Sequence, residues 1–144
     1  MSLAVLLILT ISAQAVPPRE QPAADPCAST FKPDLVSCLK QQRDAAYAEL
    51  ELYLAEVRKF MSAPTTVPEE PSPLHYFDAG QKAWEAFVEA DCQALYWSWG
   101  VGEREIQLLG CQARHAELRA HELWATYLAT STAELPEPLD PCKQ

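Results

Sequence analysis

The sequence predicts an all-α protein, a three-helix antiparallel (up-down-up) bundle stapled by disulfides. Three stretches repeat apolar residues with the three- and four-residue alternation of an α-helix. Segments rich in proline or glycine separate these stretches and provide the chain reversals. Cysteines lie near the ends of the predicted helices, where they can link one helix to the next.

The length of 144 residues suits a single domain. We expect a signal peptide at 1–15, a flexible lead at 16–29, a helical domain at 30–130 and a proline-rich C-terminal tail at 131–144.

The N-terminus has the pattern of a secretory signal. Leu3–Ile11 is apolar apart from Thr10, and Ala13-Gln14-Ala15 is a small-x-small cleavage site. The apolar run is too short to span a bilayer. No cysteine stands at the cleavage point, so we expect a periplasmic or secreted protein without a lipid anchor or a membrane span after cleavage.

Export places the cysteines in an oxidising compartment, where pairing is the rule. We expect disulfides among Cys27, Cys38, Cys92 and Cys111, which an up-down-up order brings to one end. Three connectivities remain open. Cys92 and Cys111 lie at similar distances from the turn between them, so a direct bridge is one option. Cys142 is the odd residue.

The formal net charge of −9 excludes binding to nucleic acid through its phosphates. Such a charge favours basic partners and speeds their encounter, although solubility alone also accounts for it.

The first helix is predicted from Thr30 or Asp34 to Met61, followed by a proline-rich loop at 62–77. The second is predicted from Ala79 to about Trp97, where Asp78 and Gln81 form a D-x-x-Q capping box. Its apolar residues cover more than one stripe, as expected of the central helix of three.

A Trp- and Gly-containing turn follows, at 98–102. Gly100 and Gly102 are expected to provide the positive φ that separates two helices. The third helix is predicted from Glu103 to Ala129.

The sequence contains no pattern of a catalytic or cofactor site. Glu117 and His121 are spaced for metal ligation on one helix face, but no third ligand accompanies them. The carboxylates are scattered, and neither a nucleophile motif nor a phosphate loop occurs. We therefore expect neither an enzyme, nor a cofactor, nor a metal.

The sequence allows two structural roles for Arg119, and two for the pair Trp97 and Trp99. Arg119 beside an apolar series is either a half-buried clamp on another helix or a surface residue paired with Glu122 or Glu117. Trp97 and Trp99 are either a binding patch or a cap on the core.

The segment G-Q-K-A-W-E-A-F-V-E-A-D-C, a Gly-containing break, a second cysteine and R-A-H-E-L together resemble the lysozyme-inhibitor LprI-like family of small exported bacterial helical domains. The resemblance covers roughly residues 27–128. Two cysteines eleven residues apart also match it upstream. The matching motif residues are Gln81, Trp84, Phe87, Cys92, Cys111, Arg119, Ala120, Glu122 and Leu123. Val88 stands where the family pattern has arginine, and Gly80 replaces its alanine.

The resemblance implies an exported protein that binds and inhibits lysozyme. A different hypothesis, which the sequence does not separate from it, is a non-inhibitory disulfide-stapled module that binds another protein or wall component of the cell envelope. The oligomeric state is left open. If the target is a glycosidase cleft with two carboxylates, the blocking element should be neutral or cationic. The turn around Trp97 and Trp99, with Arg104 nearby, fits that description.

Overall fold

The computed structural model describes residues 27–63, 72–130 and 135–138. It confirms the all-α fold. Three long helices follow one another: α1 (Lys32–Met61), α2 (Pro73–Ser98) and α3 (Arg104–Leu123), and a short π-helix (Trp124–Leu128) extends α3. The predicted signal peptide, most of the lead and Cys142 lie outside the described residues. Among the helices described, none has the length and apolarity that crossing a bilayer requires.

The start of α1 differs from the prediction. Its N-cap is Phe31, which makes no side-chain capping bond, so neither Thr30 nor Asp34 is the cap. Pro33 lies in the first turn, where its missing N–H costs nothing because those amides have no partner within the helix. The helix ends at Met61, as predicted.

The start of α2 also differs. The helix begins at Pro73, six residues before the predicted Ala79, so the predicted loop at 62–77 is too long. Ser72 caps it by accepting a hydrogen bond from the backbone N–H of His75 at 3.4 Å. The predicted Asp78–Gln81 capping box is therefore wrong, because both residues lie inside the helix. Asp78 instead accepts a hydrogen bond from Arg58 Nε at 3.0 Å.

The turn between α2 and α3 does not use positive φ angles. Neither Gly100 nor Gly102 adopts one, contrary to the prediction. Gly102 instead lies against the flexible end of the Lys32 side chain, which could shift to accommodate a Cβ. Lys32 Nζ donates to the Gly102 carbonyl at 3.0 Å, and a Cβ at Gly102 would lie 2.6 Å from that nitrogen.

The core lies between α1 and α3. The face of α3 that meets α1 is formed by alanines, with Ala116 and Ala120 fully buried. Leu50, Leu54 and Val57 of α1 are almost completely buried in the same cluster. Small side chains on one helix allow the larger ones of the other to interdigitate at short interaxial distance.

The central helix is α3 and not α2, contrary to the sequence-based expectation. Helix α3 packs against both of the others, whereas α1 and α2 meet only marginally. Helices α2 and α3 are antiparallel, because the residue numbers of contacting pairs rise along α2 and fall along α3, from Gln81–Arg119 to Cys92–Cys111. Helices α1 and α3 are parallel, because the residue numbers of contacting pairs rise along both helices, from Lys32–Glu103 to Arg43–Gln112.

Two disulfides join the four expected cysteines. Cys27–Cys38 ties the segment before α1 to that helix, with a Cα–Cα distance of 5.6 Å. Cys92–Cys111 links α2 to α3 at a Cα–Cα distance of 5.7 Å, which is the direct bridge that the sequence left as one option.

Part of the predicted C-terminal tail lies against the bundle. Leu135 packs against the core cluster, and Tyr53 donates its hydroxyl hydrogen to the Pro136 carbonyl at 2.8 Å.

We expect the Cys92→Ala/Cys111→Ala variant to lose about 3 kcal/mol of unfolding free energy, because the unfolded chain regains the freedom of the closed loop. Urea unfolding of residues 16–144 measures this loss. The Cys27→Ala/Cys38→Ala variant, which opens a shorter loop, is the matched comparison and should lose slightly less. A loss below about 1 kcal/mol in the first variant would contradict the expectation.

Candidate partner-binding site

The residues of the sequence motif form a hydrogen-bonded network between α2 and α3. Gln81 is 2 % exposed, and it is the one buried polar residue of the described chain. Its side-chain oxygen accepts a hydrogen bond from Arg119 Nε at 3.2 Å, and its amide nitrogen donates to Glu85 at 3.3 Å. Both ends of the buried amide are therefore satisfied, as burial requires.

Arg119 combines the two alternatives that its sequence position allowed. It clamps α2 through Gln81, and it also pairs with Glu122 on its own helix at 2.7 Å. Its guanidinium lies over the ring of Trp84, 5.8 Å from the centroid, and its side chain is only 15 % exposed. Leu123 is fully buried in the core. These motif residues hold the helices together and leave little surface for a partner.

Among the apolar motif residues, Phe87 is the one whose side chain is exposed. Its side chain is 56 % exposed, and its ring meets the edge of His115 at 5.6 Å. His115 in turn contacts Asp91 at 2.9 Å across the α2–α3 interface.

A potential set of metal ligands surrounds this contact. Asp91, His115, Cys92 and Cys111 lie close enough together for one ion. Both cysteine sulfurs are consumed by the disulfide, however, so they offer no thiolate to a metal. The sequence-based candidates, Glu117 and His121, are not brought together with a third ligand in the described chain.

The end of α2 and the turn after it present three exposed apolar side chains close together in sequence. Trp97 is 66 % exposed, Trp99 45 % and Val101 84 %. The rings of Tyr96 and Trp97 meet edge to face at 5.1 Å. Because the two tryptophans project outward, they do not cap the core, and the binding-patch alternative fits their placement.

Arg104 is held within the turn. Its Nε donates to the Trp99 carbonyl at 2.9 Å, and its guanidinium lies 4.9 Å from the centroid of the Trp97 ring. Arg104 therefore connects the Trp97 ring to the backbone of Trp99.

The acidic residues beside the turn are paired, which the sequence did not indicate. Glu103 pairs with Lys32 at 3.3 Å, and Glu105 pairs with Lys40 at 2.9 Å. Since both lysines come from α1, the pairing depends on the parallel placement of α1 beside α3. We refer to Trp97–Arg104 with these two ion pairs as the turn surface.

Two shallow grooves flank α3. The α2–α3 groove, of about 550 Å³, is lined by Asp91, His115 and Leu118. The α1–α3 groove, of about 410 Å³, includes Glu49 and Glu117. Gly110 and Arg114 border both. Burial, and secondarily the charge of Glu49, raises the pKa of Glu117 above its ordinary value.

Comparison with known proteins identifies a family. A family model described as "Lysozyme inhibitor LprI" matches residues 27–123, which run from the first cysteine to the last residue of α3. No curated protein and no solved structure matches the chain.

We expect Arg119→Met to lower the unfolding free energy by about 1 to 3 kcal/mol, because it leaves the buried Gln81 oxygen without a donor. Adding Gln81→Met should recover part of the loss, since it removes the unpaired group. Urea unfolding of the single and double variants measures this coupling. Arg114→Met, at an exposed position of the same helix, is the control. Equal losses for Arg119→Met and Arg114→Met would contradict the role of the network.

We expect Glu117→Gln to stabilise the protein at neutral pH and to have little effect in acid. A carboxyl whose pKa is raised by folding binds its proton more tightly in the folded state. Stability therefore falls as the pH rises from the ordinary value of 4.5 through the raised folded pKa. Urea unfolding between about pH 4 and pH 7 measures this fall, which Glu117→Gln should remove. Glu49→Gln should remove a smaller part, because burial is the larger cause. A parallel pH profile for wild type and Glu117→Gln would refute the assignment.

Proposed function

Because the chain belongs to the lysozyme inhibitor LprI family, we propose that it binds and inhibits lysozyme. The turn surface is the observation that supports a contact site for this activity. It is the place where exposed indoles, an ordered cation and a short connection between two helices occur together.

The chemistry of a glycosidase cleft decides what can enter it. Such a cleft contains two carboxyl groups, one of which is protonated and the other ionised. A carboxylate pushed between them would be repelled. The connection from Trp97 to Gly102 carries no charge, and Arg104 adds a cation.

The placement of Arg104 refines the hypothesis. Its guanidinium lies against Trp97 and its Nε donates to the Trp99 carbonyl, so it shapes the turn. A guanidinium has further N–H donors besides Nε that can bind a carboxylate. A rigid aromatic surface loses little conformational entropy on binding. Arg104 is therefore proposed as a residue that orders the turn and contacts a cleft carboxylate.

The net charge of −9 supports the choice of a basic partner. Long-range attraction to a basic lysozyme increases the association rate, and salt reduces it because the Debye length is about 10 Å at 0.1 M. Glu103 and Glu105, the acidic residues beside the turn, are paired with lysines, so the attraction is assigned to the charge of the whole domain.

A lysozyme turnover assay with residues 16–144 tests the proposal directly. We expect inhibition at micromolar protein and low salt, weakening as salt is added. Unchanged turnover under these conditions would reject inhibition and favour the non-inhibitory envelope module.

We expect Trp97→Ala/Trp99→Ala to abolish inhibition while helicity is retained, because the proposed blocking element loses both indole rings. Circular dichroism checks the helicity, and the turnover assay measures inhibition. Leu52→Ala/Phe60→Ala removes two exposed apolar side chains from α1 and is the matched control. If the tryptophan variant inhibits as well as the parent, the turn surface is not the blocking element.

A further inference from the structure

Helix α2 has an exposed face without charge along almost its whole length. Tyr76 is 64 % exposed, Phe87 56 % and Trp97 66 %, and between them the face consists of glycine and alanine. We call this set the α2 seam, which comprises Tyr76, Gly80, Ala83, Phe87, Ala90, Ala94 and Trp97.

The spacing of the α2 seam is that of a helix that pairs with another helix. Its positions alternate by four and three residues, the repeat that keeps side chains in line with a partner helix. The neighbouring exposed positions on one side, Ala79, Ala86 and Gln93, are also uncharged. The charged residues Lys82, Glu85 and Glu89 lie on a different side of the helix. Asp91 borders the seam on the side that faces α3, where it pairs with His115.

The described chain covers the α2 seam only in part, where His115 meets the Phe87 ring and Arg104 lies over the Trp97 ring. Helix α2 packs on α3 through another face, which contains Gln81, Val88 and Cys92. Helix α1 approaches α2 near the start of α2, where Arg58 meets Asp78. The sequence of α2 has two apolar stripes. Only one of them packs against α3.

We propose that the α2 seam binds the α2 seam of a second copy of this chain, with the two helices antiparallel about a twofold axis. Large and small side chains follow one another along the α2 seam in nearly the same order when the seam is read from either end. An aromatic residue stands at each end, Ala83 and Ala90 are symmetrically placed inward, and Phe87 lies close to the centre. Antiparallel pairing therefore places Tyr76 near Trp97 of the second copy and Ala83 near Ala90 of the second copy.

Self-complementarity favours a second copy over an unrelated partner. A twofold interface requires one surface to fit itself, and this order of large and small residues does so. The seam itself brings no like charges together, although each chain carries a net charge of −9. Alanine and glycine also allow two helix backbones to approach closely.

The size of the seam fits a weak, reversible dimer. At their observed exposures the three aromatic side chains alone present roughly 400 Å². That is about half of the 800 Å² that each partner contributes to an interface of standard size. Repulsion between two acidic chains opposes association, so added salt should strengthen the dimer. Salt should therefore strengthen the dimer, whereas it should weaken binding to a basic lysozyme.

Sedimentation equilibrium of residues 16–144 without lysozyme tests the proposal. We expect a monomer–dimer equilibrium that shifts toward dimer as salt increases. Ala90→Glu should raise the dimer dissociation constant about tenfold or more, because it places a charge in the apolar contact. Ala55→Glu makes the same substitution at an exposed position of α1 and should leave the constant unchanged.

Two further variants test the antiparallel register. Mixing the Ala83→Lys chain with the Ala90→Glu chain should restore association, because the two charges meet across the axis. In a Cys142→Ser background, Ala86→Cys near the axis should form an interchain disulfide on oxidation, whereas Glu89→Cys should not.

A chain that stays monomeric up to about 1 mM overturns the proposal. Association that Ala90→Glu weakens no more than Ala55→Glu overturns it as well. Circular dichroism is the control. It checks whether both variants retain their helices, so that loss of association can be distinguished from loss of fold.

Discussion

The close packing of α1 on the alanine face of α3 is the contact on which the remainder of the structure depends. Ala116 and Ala120 are fully buried, and Val57 of α1 is equally inaccessible in the same core cluster. Larger residues at the two alanines would push the helices apart. Because α1 lies along α3, its N-terminal lysines reach Glu103 and Glu105. The core contact therefore also determines the electrostatic surroundings of the turn.

The motif residues and the surface residues have different tasks. Gln81, Arg119 and Trp84 join α2 to α3 in a network that is largely inaccessible, and Leu123 belongs to the core. The turn and the outer face of α2, by contrast, present exposed aromatic side chains. The motif residues thus account for the scaffold, and a shared scaffold does not by itself specify a partner.

Much of the fold could be predicted because hydrophobic periodicity, export and cysteine position point to the same answer. The errors have local physical causes. Ser72-Pro73 begins α2 early because a proline fits the first turn of a helix, although several prolines together resemble a loop. The double stripe of α2 suggested a central helix, because sequence periodicity shows that a face is apolar but does not identify its partner.

The site was less predictable than the fold. The exposed turn was recognised from Trp97 and Trp99, but the position of Arg104 against an indole depends on the path of the turn. The pairing of Lys32 with Glu103 joins residues far apart in the sequence. No local pattern encodes such a contact.

The disulfide connectivity has a consequence for how the chain matures. Each bridge joins cysteines that are neighbours in sequence order, the first with the second and the third with the fourth. An oxidant acting on the chain as it emerges from a translocation channel would form both native bridges before Cys142 appears. Pairing of successive cysteines is thus compatible with oxidation in order of emergence, without rearrangement of a non-native bridge.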